Sequence, residues 1–161
     1  MEKGRIFKFV GFILLLCLAG TAVAIVIGRL TFGTVTNSPT TIDIRVNAPS
    51  QVTRNEPFAV TLRFTNLVPN SQTLHSIDLD TNYLENVRLA STVPNYKEVR
   101  TLPFTHFTSY NFEETLPATQ ITVVELTFLP EQVGQFSGLM DVCLEDGTLC
   151  QALPLAVEVV E

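Results

Sequence analysis

Histidine and cysteine are scarce in this chain, two and three residues in 161. A blue-copper site needs two histidines and a cysteine, usually with a weak methionine. Cys150 is followed by Gln-Ala-Leu-Pro-Leu-Ala and Cys143 by Leu-Glu-Asp-Gly, so neither has a histidine near it. The same two cysteines do not form a C-x-x-C redox pair. His75 lies between Leu74 and Ser76, and His106 between Thr105 and Phe107; neither neighbourhood carries a nucleophile motif, and both read as surface or rim residues. Glu113 and Glu114 are adjacent, and neighbours on a strand point to opposite faces, which fits a solvated loop better than an acid–base pair. A glycine-rich phosphate loop is missing too. These absences leave no enzyme and no cofactor to propose.

Basic residues are few beyond the N-terminus. From Thr31 onward there are six Lys/Arg against fifteen Asp/Glu, a net charge of −9. That balance argues against nucleic acid and against anionic lipid headgroups as partners. No Asn-x-Ser/Thr acceptor occurs: Asn37-Ser38-Pro39 and Asn70-Ser71-Gln72 both fail at the third position. The chain has no internal repeat, and no segment after Arg29 follows a 3.6-residue period.

What the chain does have is an uncharged apolar run of twenty residues, Phe9 to Gly28, behind Lys3, Arg5 and Lys8. Twenty helical residues span about 30 Å, the thickness of a bilayer's hydrocarbon core. The run reads as a transmembrane signal anchor over 9–28, with residues 1–8 cytoplasmic and the rest of the chain extracytoplasmic, because positive charge stays inside. Three other readings compete. Ala22-Val23-Ala24 has the small-x-small form of a signal-peptidase site, although Ile25-Val26-Ile27 continue the run past it. Cys17 follows three leucines rather than the small residue that precedes a lipidated cysteine. Lys8-Phe9-Val10-Gly11-Phe12 is similar to a prepilin cleavage site, but Leu16 stands where an acidic residue belongs. Gly20, Ala24 and Gly28 are spaced four apart, line one helix face, and form a candidate contact with a neighbouring membrane helix.

Residues 29–41 read as a polar stalk containing Gly33 and Pro39. From residue 42 the pattern becomes period two. Ile42, Ile44 and Val46 alternate with polar residues, as do Phe58, Val60, Leu62 and Phe64, then Ile77 and Leu79, then Val124, Leu126 and Phe128. Phe136, Met140, Val142 and Leu144 share one parity, and Leu149, Leu153, Leu155, Val157 and Val159 another. Such alternation puts one face in a core and one in water. Prolines fall mostly between the runs. The expected fold of 42–161 is an all-β, Ig-like antiparallel sandwich of about seven to nine strands.

The last hairpin is the best-defined local element. Asp146-Gly147 is a strong turn signal. It pairs Leu144 with Leu149, both toward the core, and Cys143 with Cys150 on the outer face. Cysteines directly opposite reach disulfide separation, so a Cys143–Cys150 bond is expected.

Glu56-Pro57-Phe58-Ala59-Val60-Thr61-Leu62-Arg63-Phe64-Thr65-Asn66 resembles the second strand of bacterial cell-surface Ig-like modules of the CARDB (cell-adhesion-related) type. Gly134-Gln135-Phe136-Ser137-Gly138, leading into Val142, resembles their penultimate strand. The resemblance implies adhesion or assembly at a cell surface and no catalysis.

Two stretches of the domain carry candidate contacts. Leu102 to Phe112 concentrates Phe104, Phe107, Tyr110 and Phe112, with Tyr96 nearby; aromatic residues are enriched in contact patches, and the same rings also suit a core. Asp78, Asp80 and Asn82 resemble a calcium loop, yet Tyr83 and Leu89 stand where an EF-hand needs glycine and an acid. A solvent-facing strand gives the same spacing. The expected role is therefore a membrane-anchored docking, adhesion or accessory module, with a protein partner at the same membrane surface. A calcium- or glycan-binding surface and a pilin-like subunit are the alternatives.

Overall fold

In the computed structural model, residues 41–145 and 147–161 are described. The expected anchor, its Gly20/Ala24/Gly28 face, most of the stalk, and Asp146 of the last turn lie outside the described residues. Among the described residues, no helix is long and apolar enough to cross a membrane.

Ten strands form among the described residues, most of them from the alternating runs. They are β1 (Ile42–Asn47), β2 (Gln51–Thr53), β3 (Phe58–Asn66), β4 (Gln72–Asp80), β5 (Val87–Val93), β6 (Glu98–Thr101), β7 (Phe107–Leu116), β8 (Ile121–Pro130), β9 (Gly134–Leu144) and β10 (Leu149–Val160). One short helix, α1 (Thr81–Leu84), follows β4. A four-stranded sheet has the order β1-β3-β8-β5, and a six-stranded sheet the order β2-β10-β9-β4-β7-β6. This is an all-β sandwich with Ig-like strand placement: β1, β3, β8 and β5 fill one sheet, and β4, β9 and β10 centre the other.

Two details differ from expectation. The strand number exceeds nine because β2 and β6, three and four residues long, are too short to show alternation. The sheets are not wholly antiparallel either: β2 runs parallel to β10, with Val52 opposite Val159. Pairing with the end of β10 follows from the turn at Asn47–Ser50, after which the chain leaves β3's sheet for the other one.

The core is what the period-two pattern dictates. Val60, Leu62 and Phe64 of β3 and Val124, Leu126 and Phe128 of β8 come from one sheet. Ile77 and Leu79 of β4, Met140, Val142 and Leu144 of β9, and Leu155, Val157 and Val159 of β10 come from the other. All are essentially inaccessible to water. Leu149 departs from this: it pairs with buried Leu144 but is 38% exposed, because it opens β10 at the end of the sandwich.

Two polar devices close the ends. Asn66, buried, donates through Nδ2 to the carbonyls of Asn70 (2.9 Å) and Leu116 (3.0 Å) and accepts from Val68 N (3.1 Å). It thereby folds the β3–β4 loop without the glycine such turns commonly use. Asp80 caps α1, its Oδ1 accepting from Asn82 N (2.8 Å). The helix drops Tyr83 into the core, edge-on to Phe128 at 5.9 Å. Burial pushes the Tyr83 phenol up to about 12.

Candidate functional site

The chemistry of this domain gathers on the outward face of the six-stranded sheet. Register alone assembles it. One row crosses the sheet as Arg100, Ser109, Asp78, Asp141 and Ala152. The next row is Glu98, Asn111, Ser76, Cys143 and Cys150. Each of these residues has the parity opposite to a buried neighbour such as Ile77, Phe112 or Val142, so it turns away from the core.

A shallow recess of about 240 Å³ lies in this face, lined among others by His75, Asp78, Arg100, Ser109, Asn111 and the two cysteines. At its floor the Ser109 hydroxyl donates to Asp78 Oδ1 at 2.5 Å, a charge-assisted bond. Arg100 forms one wall, held in place by Glu98, which accepts from its Nε (2.7 Å) and Nη2 (2.6 Å). Their mutual attraction lowers the Glu98 pKa and raises that of Arg100.

The upper end of the recess is built by an irregularity. Pairing of β4 with both β7 and β9 shifts between Leu74 and Ser76. On β7, Glu113 takes φ 51°, in the left-handed region. This re-aims the glutamate, whose Oε1 meets His75 Nδ1 at 2.7 Å. Gly147 closes over the other edge of the imidazole: a Cβ there would sit 3.2 Å from His75 Cδ2, and its φ of 84° already favours glycine.

The expected disulfide is present. Cys143 and Cys150 are joined, with Cα atoms 4.1 Å apart. Cys143 is buried beneath the recess while Cys150 is exposed at its rim. Oxidised sulfur has no proton to give, so the 3.8 Å approach of Cys143 Sγ to Asp78 Oδ2 is a packing contact.

The aromatic stretch is divided by the fold. Phe112 is 1% exposed and belongs to the core, so it does not form part of a surface patch. Tyr110 is half-buried and meets Tyr96 edge-on at 5.2 Å. Phe107 opens β7 on the outward parity, opposite Asp80. Phe104 is in no strand: it occupies the β6–β7 turn at φ 65° and is 106% exposed. The split arises because the hairpin turn consumes Leu102 to His106, leaving only Phe107 onward to alternate.

The calcium candidates are also separated. Asp78 serves Ser109, Asp80 caps α1, and Asn82 lies on that helix rather than on the strand face. Among the described residues, no three His, Cys, Asp or Glu gather as ligands for a metal. His106 is exposed, its carbonyl accepting from Thr81 N (2.8 Å). A larger recess of about 390 Å³ lies near Ser50, Gln135–Ser137 and Ala156–Glu158. The one ionisable group lining it, Glu158, is occupied by Gln51 Nε2 at 3.1 Å.

No protein-family model and no curated protein matches the sequence. Solved structures with a similar arrangement of strands do exist. A cohesin module of a family 33 glycoside hydrolase from Clostridium perfringens is 12% identical, over 74% of this chain and 97% of that one, with TM-score 0.44. The CARDB domain of a Pyrococcus furiosus protein is 12% identical, over 74% and 94%, with TM-score 0.45. A cupredoxin domain from Nitrosocaldus yellowstonii is 11% identical, over 77% and 90%, with TM-score 0.48. These likenesses concern the sandwich alone and carry no statement about activity.

Ser109, Asn111, Glu98 and Arg100 carry little signal in the sequence. Their only signal was alternation: Ser109 and Asn111 are the polar partners of Tyr110 and Phe112. What gives them meaning is the pairing of β7 with β4, which brings Ser109 to Asp78 across 31 residues of chain and which no local pattern encodes.

Proposed function

We propose that this sandwich is a non-enzymatic docking module, carried outside the cytoplasm by an N-terminal signal anchor and presented to a protein partner at the same membrane. Phe104 supports the docking half of the reading. It is a phenylalanine held on a hairpin tip with its whole ring in water, and aromatic side chains are enriched where proteins make contact. The Cys143–Cys150 bond supports the location, since disulfides persist in oxidising compartments. An anchor confines the module to a thin layer above the bilayer and raises its effective concentration toward partners there.

A photo-crosslinking residue at position 104 of the full chain, in native membranes, tests the reading. The expected result is a discrete adduct with one protein. The same probe at Ser91, exposed on the four-stranded sheet, should give none. No adduct at 104, or equal adducts from both positions, overturns it.

A further inference from the structure

The six-stranded sheet ends at β6, whose four residues are all exposed. Val99 pairs with Tyr110, which pairs with buried Ile77, so Val99 lies on the core-facing side of the sheet. It is nevertheless 48% exposed, because the narrower four-stranded sheet stops short of it. Tyr96, 38% exposed, leans on Tyr110 beside it. Among the described residues, an apolar ledge of Tyr96, Val99 and Tyr110 thus borders an unpaired backbone edge.

The backbone of that edge has a definite pattern. Leu102 N donates to Phe107 O across the β6–β7 turn at 3.1 Å. Bonded pairs alternate in an antiparallel ladder, so Arg100 and Glu98 turn their N–H and C=O groups toward β7. Val99 and Thr101 turn theirs away, to the open edge.

Glu98-Val99-Arg100 is complementary to itself. Set a second copy of β6 antiparallel against the first, with the two-fold axis through Val99. Glu98 then faces Arg100 of the second copy, Arg100 faces its Glu98, and the two valines meet at the centre. Register slips that preserve the faces must move by two residues. They place the axis on Glu98 or on Arg100 and set like charges directly opposite, which is unfavourable.

We propose that β6 is a homotypic edge: two copies of this chain pair through it into one continuous sheet, joining their Tyr96–Val99–Tyr110 ledges on one face. The contact is isologous, as closed dimers require. Its few residues make it weak and concentration-dependent. The inference concerns the strand edge rather than the Phe104 tip, and holds whether or not the domain is membrane-held.

Sedimentation of the full chain in mild detergent, over a wide concentration range, tests it. The wild type should show a monomer–dimer equilibrium. Val99→Pro removes only an outward N–H and leaves the bonds to β7, and Arg100→Glu sets two acids opposite each other; each should weaken dimerisation about tenfold or more. Exchanging both charges, Glu98→Arg with Arg100→Glu, keeps both the internal and the cross-copy pairs and should restore it. Where Arg100→Glu melts lower than wild type, Val99→Pro and the exchange variant decide. A monomeric wild type overturns the proposal, as does association that Val99→Pro leaves unchanged or that the exchange fails to restore. Association through the N-terminal segment would be untouched by every one of these changes and so counts against it.

Discussion

Asp78 and Asp141 stand directly opposite each other across the β4–β9 ladder, both on the outward face. Asp78 has the Ser109 hydroxyl as a donor. Burial, and then the charge of Asp78, raise the Asp141 pKa above its ordinary 3.8. The folded state therefore binds a proton at Asp141 more tightly than the unfolded chain does. Stability from this group is highest in acid, and falls as pH rises from the ordinary value through the raised folded one.

Asp141→Asn removes that penalty. It should raise stability at neutral pH by about 0.2–1 kcal/mol, the scale of a like-charge pair across strands. The gain should shrink toward zero in acid. Thermal melts of wild type and variant across the acid range check both parts; a gain that persists below the ordinary carboxylate range would contradict the assignment.

Gly138 of β9 is where the sheet meets α1. A Cβ there would come within 2.8 Å of Tyr83 Cβ and 3.1 Å of Asp80 Cβ, both firmly placed atoms. Gly138→Ala should destabilise by about 1–3 kcal/mol through overpacking. Urea unfolding measures it, and near-neutral behaviour would mean that α1 can shift away.

The disulfide closes a short loop, with a sequence separation of seven. Replacing both cysteines by serine should cost about 2–3 kcal/mol, the low end of the range for cross-links. The comparison is between unfolding midpoints of the oxidised wild type and the double variant; a steeper slope in the variant reports a more expanded unfolded chain.

Phe104 and Phe112 lie eight residues apart and should behave as opposites. Phe112→Ala opens a hole between the sheets and should cost about 3–5 kcal/mol. Phe104→Ala, at the exposed tip, should stay within about 0.5 kcal/mol of wild type while weakening the proposed docking. If both variants melt together, the division of the aromatic stretch is wrong.

Much of the sandwich was legible because its strands are half-buried. Phe58 to Phe64 and Val124 to Phe128 alternate without a break, so period two named their core faces correctly. The Cys143–Cys150 pair was legible for the same reason: a turn signal fixes a hairpin register, and the register fixes what lies opposite. Strand order is set by contacts distant in sequence, which is why the Ser109–Asp78 bond and the two polar rows were invisible. Edge elements escaped as well. β2 and β6 hold too few residues to show a period, and α1 is one turn capped by Asp80, whose carboxylate read equally well as part of a strand face. Asn82 belongs to that same turn.

On the reading proposed above, this acidic, disulfide-stapled sandwich lies outside the cytoplasm. The most direct measurement uses a Ser91→Cys variant of the full chain, with Cys17→Ser, in intact cells treated with a membrane-impermeant maleimide. Ser91 is exposed on the four-stranded sheet, and Cys143 and Cys150 are consumed by their bond. Labelling at position 91 is expected before the cells are broken. Labelling that occurs only after lysis would contradict that reading.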